Sequence, residues 1–135
     1  MNPALHAHPE RSAQRRTVGA HGEALAAAYL AEHGYEILDR NWRCRLGELD
    51  LVVETGRTLV AVEVKTRRGT GYGTPLSAVT PQKAARLRLL VGEWLGAHRD
   101  GGGLSDRFEA IRIDAIGILL SAGSVPRIDH LRGIV

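Results

Sequence analysis

Two short apolar runs joined by a single turn constrain the fold of this chain more than any other feature of its sequence. Residues 49–53 and 59–64 are rich in Val and Leu, and each run contains one acidic residue. A strand that is apolar on both faces usually lies inside a sheet that is covered on both sides. Between the runs, Thr55-Gly56-Arg57 predicts a tight turn that returns the second strand beside the first.

Helical patterns occur before and after these strands. Apolar residues recur at three- and four-residue steps between Val18 and Leu30, which predicts a helix over 17–33. A second helix is predicted over Pro81–Ala97, because a proline that follows a capping residue such as Thr80 is typical of the first helical turn.

The strand pattern completes the predicted order of elements. Beta-branched and apolar residues between turn signals predict strands at 36–43, 48–54, 58–66, 108–120 and 127–134. The order is αβββαβ with a short final strand. It indicates an α/β domain with a mixed central sheet flanked by helices.

The length of the chain and the composition of its N-terminal segment predict how its domain is organised. Its 135 residues suffice for one ordinary domain. Residues 1–16 lack apolar periodicity and predict a mobile tail ahead of a domain at 17–135. His6 and His8 in that tail could chelate a metal, but their spacing favours a solvated tail.

The sequence shows no pattern of a secretory signal and no apolar run long enough to span a membrane. Cys44 is its one cysteine, so no intrachain disulfide can form. We therefore expect a reduced, cytoplasmic protein that does not contact membranes.

The basic residues of the chain are unusual in kind. A net charge of +3 and a pI near 9.5 agree only weakly with a polyanionic partner. Of the 18 basic residues, only Lys65 and Lys83 are lysines. A lysine inside an apolar strand of an arginine-rich chain therefore calls for a specific explanation.

Three charged residues on the two apolar strands form a candidate catalytic set. Glu63 and Lys65 share one strand face, about 6.7 Å apart along the axis, and the turn at Gly56 allows Asp50 to face the same point. Two converging carboxylates suit Mg²⁺ or Mn²⁺, and an ammonium group beside them suits phosphodiester hydrolysis. The same residues could instead form a buried ion network that only stabilises the fold, and the spacing alone leaves both interpretations open.

Several short motifs resemble one protein family. Asp50 with Glu63-x-Lys65 resembles the PD-(D/E)xK nuclease signature, with Leu49 where that signature has proline. The ordered set resembles the bacterial YraN-like family, which has an endonuclease-like fold similar to that of archaeal Holliday-junction resolvases. The resemblance covers roughly residues 17–131 and departs from the family pattern at Gly133-Ile134. Its motifs are Gly22-Glu23, Tyr29-Leu30, residues 40–45, residues 47–50, residues 62–67 and Arg112-Ile113-Asp114.

The resemblance implies a restriction-endonuclease-like core and a role for each signature residue. Asp50 and Glu63 would be metal ligands, and Lys65 would be the catalytic lysine. The backbone carbonyl of Val64 could also reach the metal.

Two further acidic residues have alternative roles. Glu23 would correspond to the acidic residue on the first helix of resolvase-like proteins, although an ordinary solvated glutamate is an equally good interpretation. Glu48 shares a strand face with Asp50, so it could bind a second metal ion or form an ion pair with an arginine.

The neighbouring loop and helix offer contacts to nucleic acid. Arg67 and Arg68 could hold a phosphate backbone and Tyr72 could stack on a base, although a plain flexible loop is the alternative. Gln82 and Lys83 lie in the first turn of the second helix, from which related nucleases reach the active site.

These features predict a Mg²⁺-dependent endonuclease that acts on DNA, including branched or structured DNA. Symmetric cutting of a junction requires two sites, so we expect a homodimer. The alternatives are a non-catalytic nucleic-acid-binding or assembly module on the same fold, and an interaction protein whose polar core only specifies its fold.

Overall fold

A five-stranded mixed sheet with two helices forms the described part of the chain. The computed structural model describes residues 9–69, 79–98 and 107–134. The strands are arranged in the order β1-β2-β3-β4-β5, with β3 and β4 parallel and the other neighbours antiparallel. The elements are α1 (Pro9–Glu32), β1 (Glu36–Cys44), β2 (Gly47–Thr55), β3 (Thr58–Arg68), α2 (Pro81–Ala97), β4 (Ala110–Leu120) and β5 (Arg127–Leu131).

The element bounds agree with the sequence pattern except at a few ends. Helix α2 begins and ends where predicted, and its cap Thr80 accepts a hydrogen bond from the backbone N–H of Lys83 at 3.2 Å. Helix α1 begins at Pro9 instead of residue 17. The added turns precede Val18, which packs on the core, and they lack the apolar periodicity from which a helix is predicted. Residues 1–8 of the predicted tail lie outside the described residues.

Each face of the sheet packs against one helix. On β3, Val60, Val62 and Val64 belong to the core on the α1 side, whereas Leu59 and Ala61 belong to the core on the α2 side. This alternation is the period of two expected for a strand buried on both faces. Full burial of each of these valine and leucine side chains contributes about 1.5–3 kcal/mol. The prediction that β2 and β3 are interior strands is confirmed.

Helix α1 approaches β3 closely at a single glycine. A Cβ atom added to Gly22 would overlap the hydroxyl oxygen of Thr66, so only glycine permits this approach. The Thr66 hydroxyl is buried and has no hydrogen-bond partner among the described residues. The close packing brings the next residue of α1, Glu23, toward the carboxyl end of β3.

The helices are not of the kind that cross membranes. Across residues 9–69, 79–98 and 107–134, the structure contains no helix that is both long enough and apolar enough to span a bilayer.

Candidate functional site

The candidate site lies where β2 and β3 separate. The two strands pair from Thr55↔Thr58 to Leu51↔Val62, after which β2 continues beside β1 and β3 continues beside β4. Asp50 and Glu63 are the first residues beyond the last pair. Backbone groups that lose their strand partner need another one. The N–H of Val64 donates to Oδ2 of Asp50 at 2.9 Å, so the carboxylate replaces a strand carbonyl at this fork.

Asp50 is the most strongly perturbed acid of the site. Burial raises its pKa, and the negative charge of Glu63 raises it further, to about 7. The hydrogen bond from Val64 acts in the opposite direction, because it stabilises the charged form. The structure therefore brings Asp50 and Glu63 together, as predicted from the turn at Gly56.

Two lysines flank the carboxylates. Nζ of Lys65 lies 3.5 Å from Oε1 of Glu63, and the Glu63 side chain is 14% exposed. Burial acts to lower the pKa of Lys65, but contact with Lys83 and the charge of Glu63 outweigh it and hold the pKa above its ordinary value. Contact with Lys65, together with burial, lowers the pKa of Lys83. Both lysines of this chain thus meet at one point, from different elements.

Glu23 belongs to the same electrostatic cluster. It is half-buried, and burial together with the charges of Glu48 and Glu63 raises its pKa, while a hydrogen bond with the side chain of Asn41 lowers it. Glu23 is therefore close enough to Glu48 and Glu63 for their charges to act on it, and its role at the site stays a prediction.

Glu48 adopts one of its two predicted roles. Its Oε2 accepts a hydrogen bond from Nε of Arg43 at 3.1 Å, which makes it the partner of an arginine on the neighbouring strand. Its charge nevertheless helps to raise the pKa of Asp50, so it remains at the margin of the cluster.

The described residues that are predicted to contact nucleic acid lie at the end of β3 and in the first turn of α2. Arg67 and Arg68 are exposed at the end of β3, beside the last pairs with β4. Gln82 is exposed in the first turn of α2, one residue before Lys83. Tyr72 lies outside the described residues, so its predicted stacking stays a prediction.

The side chains of this cluster suit a hard cation. Among the described residues, no three His, Cys, Asp or Glu side chains are arranged closely enough to hold a metal ion by themselves. However, Asp50 is a half-buried carboxylate whose charged form is destabilised by partial burial and by a neighbouring carboxylate. A divalent cation with retained waters would relieve this repulsion, and carboxylate oxygens are its preferred ligands. The residues present therefore fit Mg²⁺ or Mn²⁺.

A second polar cluster was not predicted from the sequence. Asp114 on β4 is completely buried. Its carboxylate accepts hydrogen bonds from Arg112 at 2.8 and 2.9 Å and from the N–H of Gly133 at 3.0 Å, and it lies 2.8 Å from Nε2 of His130. An acidic residue inside an apolar strand is the same signal that marks Asp50, and it could have identified Asp114.

Two tyrosines connect this cluster to the end of α1. The hydroxyl of Tyr35 accepts a hydrogen bond from Arg112 at 2.8 Å, and the hydroxyl of Tyr29 lies 3.1 Å from Nδ1 of His130. The Asp114 network, defined as Asp114, Arg112, His130, Tyr29 and Tyr35, thereby joins β4, β5 and α1.

The chain matches the model of Uncharacterised protein family UPF0102 over residues 22–118. It belongs to the UPF0102 family. It is 52% identical over 120 residues to a UPF0102 protein of Rhodococcus jostii (strain RHA1), covering 89% of this chain and 97% of the relative. It is 48% identical over 123 residues to a UPF0102 protein of Leifsonia xyli subsp. xyli, covering 91% and 99%.

The UPF0102 match agrees with the resemblance to the YraN-like family. It includes the carboxylates and both lysines of the site, as well as Asp114, but stops before β5. The relatives extend over most of this chain, so the family assignment applies to the domain as a whole.

The raised pKa of Asp50 predicts how stability depends on pH. The folded protein binds the Asp50 proton more tightly than the unfolded chain, whose aspartate has a pKa near 3.8. The resulting stabilisation is complete below about pH 4 and is lost as the pH rises through about 7. Asp50→Asn removes this dependence, so in metal-free buffer its melting temperature is expected to exceed that of the wild type increasingly from pH 5 to pH 8. Identical pH profiles for the two proteins would contradict a raised pKa at Asp50.

Proposed function

We propose that this UPF0102 protein is a metal-dependent nuclease with a restriction-endonuclease-like core that hydrolyses phosphodiester bonds in DNA. The observation that carries the proposal is the convergence of Asp50, Glu63 and Lys65 at the fork between β2 and β3. Charges on interior strands are costly, and a metal-assisted reaction is a use for which these three residue types are suited together.

Each residue of the site has a distinct role in the proposed reaction. Asp50 and Glu63 would hold the cation through carboxylate oxygens and retained waters, and Glu23 on α1 would add negative charge at the margin of the site. The bound cation supplies positive charge that favours attack on a phosphodiester. Lys65, whose Nζ lies 3.5 Å from Glu63, is placed to orient the attacking water or to stabilise the charge that develops on the phosphate.

The surroundings of the site suit a polyanionic substrate. Lys83 places a second lysine side chain next to Lys65, and Arg67 and Arg68 extend the positive charge along the end of β3. Such cations bind phosphates independently of base sequence. For branched DNA we propose a homodimer, because cutting two strands symmetrically needs two sites related by a two-fold axis.

The element order and sheet support the placement among endonuclease-like folds. Three strands between two helices, followed by a strand parallel to the third, place Asp50 and Glu63 on neighbouring central strands. A non-catalytic nucleic-acid-binding module with the same fold is the alternative, and it predicts binding without cleavage.

A metal titration combined with a cleavage assay tests the proposal. Calorimetry with Mg²⁺ and Mn²⁺ is expected to show binding that Asp50→Asn and Glu63→Gln each abolish. The exposed Glu93 on α2 provides a matched control, since Glu93→Gln also removes one carboxylate but is expected to bind as the wild type does.

The substrate panel consists of single-stranded, duplex, flap and four-way DNA, with RNA counterparts. Cleavage that requires the divalent ion and both carboxylates supports a nuclease. Binding of these substrates without any cleavage would replace the nuclease by the binding module. Equal metal binding by the wild type and by both site variants would exclude the metal site itself.

A further inference from the structure

The fork between β2 and β3 has two arms. Beyond the last pair between these strands, residues 47–50 of β2 stay paired with β1, and residues 63–68 of β3 stay paired with β4. Residues 41–50, which contain the end of β1 and the start of β2, are named the hairpin arm. Asp50 and Glu63 lie at the base of the fork, one on each side. A substrate that reaches both carboxylates therefore lies against both arms.

An exposed leucine lies at the tip of the hairpin arm. Cys44 pairs with Gly47, so the arm closes through a two-residue turn, Arg45-Leu46. Leu46 is 38% exposed. Single exposed leucines are common on protein surfaces and do not by themselves indicate a binding site. Leu46 differs from an ordinary surface leucine because its turn is held in place and lies among cations.

The turn at Leu46 is held against α2. Nη2 of Arg86 on α2 donates a hydrogen bond to the backbone carbonyl of Leu46 at 2.6 Å. The next residue, Gly47, has a φ of +146°, and a Cβ atom there would lie 3.4 Å from both Arg86 and Leu90. A residue with a side chain would be strained in this conformation, so the glycine allows the turn to pack closely on the helix.

Cations lie on both arms of the fork. Arg43 and Arg45 are exposed on the hairpin arm, and Arg43 also forms an ion pair with Glu48. Arg67 and Arg68 are exposed at the end of β3. Two phosphate backbones complement such a surface, because arginines bind phosphates without reading base sequence. An apolar side chain next to phosphate-binding cations is an arrangement with which proteins unstack a base step.

We propose that Leu46 is a wedge that packs against the terminal base pair at a branch point in DNA, where one strand follows the hairpin arm and the other follows β3. The inference rests on the proposed nuclease function and names branched duplex DNA as its substrate. Leu46 precedes Asp50 by four residues, which is about 13 Å along the strand, or about four stacked base pairs. Cleavage is therefore expected within about four nucleotides of the branch.

Unstacking at the branch can be measured without cleavage. The probe is 2-aminopurine, an adenine analogue whose fluorescence rises when it unstacks, placed at the branch of a flap or a four-way junction in buffer without divalent ions. Saturating wild-type protein is expected to raise this fluorescence, and Leu46→Ala is expected to lose most of the rise. Ile111→Ala is the matched control, since Ile111 is 44% exposed but pairs with Leu59 at the end of the sheet away from the fork.

A second variant separates the wedge from the charge around it. Arg45→Gln is expected to weaken the binding of branched and linear duplexes alike, because a phosphate contact does not depend on the branch. At saturation it is expected to keep the rise in fluorescence. Loss of the rise at saturation in Arg45→Gln but not in Leu46→Ala would overturn the assignment of the wedge to the leucine.

Cleavage assays distinguish this inference from the proposed function. With Mg²⁺ present, Leu46→Ala is expected to cleave branched DNA about tenfold more slowly than the wild type, and linear duplex at an unchanged rate. Equal unstacking by the wild type and Leu46→Ala, or no unstacking by wild-type protein, would overturn the wedge even if the protein is a nuclease. Unstacking that requires Leu46, without cleavage of any substrate, would support the wedge and overturn the nuclease. Wild-type protein that binds no branched DNA would overturn the wedge, whatever else it cleaves.

Discussion

Lys65→Ala is expected to lower the rate of metal-dependent cleavage by about 10²–10³-fold while leaving DNA affinity close to that of the wild type. The ammonium group acts on the reacting phosphate or on the attacking water, whereas affinity is spread over the exposed arginines. The Lys65 side chain is 32% exposed, so loss of its pair with Glu63 is expected to cost about 1 kcal/mol or less of folding stability. Single-turnover cleavage rates, binding titrations and melting temperatures measure the three effects separately.

Two control variants make the Lys65 result specific. Lys65→Arg keeps the charge but replaces a compact ammonium group by a planar guanidinium, so it is also expected to be inactive. Lys83→Ala removes the neighbouring lysine and is expected to weaken binding more than it slows the chemical step. A folded Lys65→Ala protein that cleaves at the wild-type rate would show that Lys65 only neutralises the carboxylates, as in a structural ion network.

Asp114→Ala is expected to destabilise the fold by about 3–5 kcal/mol, and to lower the melting temperature by on the order of 10–20 °C. The substitution leaves Arg112, His130 and the N–H of Gly133 without their shared acceptor in a fully buried position. Denaturant unfolding of the wild type and the variant measures this difference. Because a domain of this size has only about 5–15 kcal/mol of stability, Tyr35→Phe provides a milder test, with an expected loss of about 1 kcal/mol.

The pH dependence of the Asp114 effect has a definite sign. Burial acts to raise the pKa of Asp114, but hydrogen bonds from Arg112, Gly133 and His130 outweigh it and lower the pKa below its ordinary value. The stabilisation is therefore present above the pKa of an unfolded aspartate and is lost as the pH falls. Asp129 on β5 forms an exposed pair with Arg127, so Asp129→Asn is the matched control and is expected to change little. Equal stability of the Asp114 and Asp129 variants would show that the Asp114 network does not hold β5 and α1 to β4.

Local patterns in the sequence were enough to predict much of this fold and the centre of its site. The apolar runs of β2 and β3 predicted interior strands, and the turn between them predicted the antiparallel return. Because side chains alternate along a strand, the spacing of Glu63 and Lys65 predicted that they share one face, and the turn at Gly56 allowed Asp50 to face the same point. The cap and proline of α2 predicted where it begins, since these signals act within one helical turn, and its apolar stripe predicted where it ends.

Tertiary packing determined the contacts that join distant parts of the chain. Helical periodicity left Glu23 at the edge of the apolar face, and only the close approach of Gly22 to Thr66 brought it to the site. Lys83 meets Lys65 because α2 packs across the sheet, which no spacing within α2 predicts.

The Asp114 network shows the physical reason most clearly. Arg112 and Tyr35 are separated by 77 residues, and Tyr29 and His130 by 101, yet each pair forms one hydrogen bond. Secondary-structure patterns arise from the repeat of the backbone and from interactions a few residues apart. Hydrogen bonds between distant elements depend on how two helices and five strands pack together, and that arrangement depends on the sum of many apolar contacts rather than on any local motif.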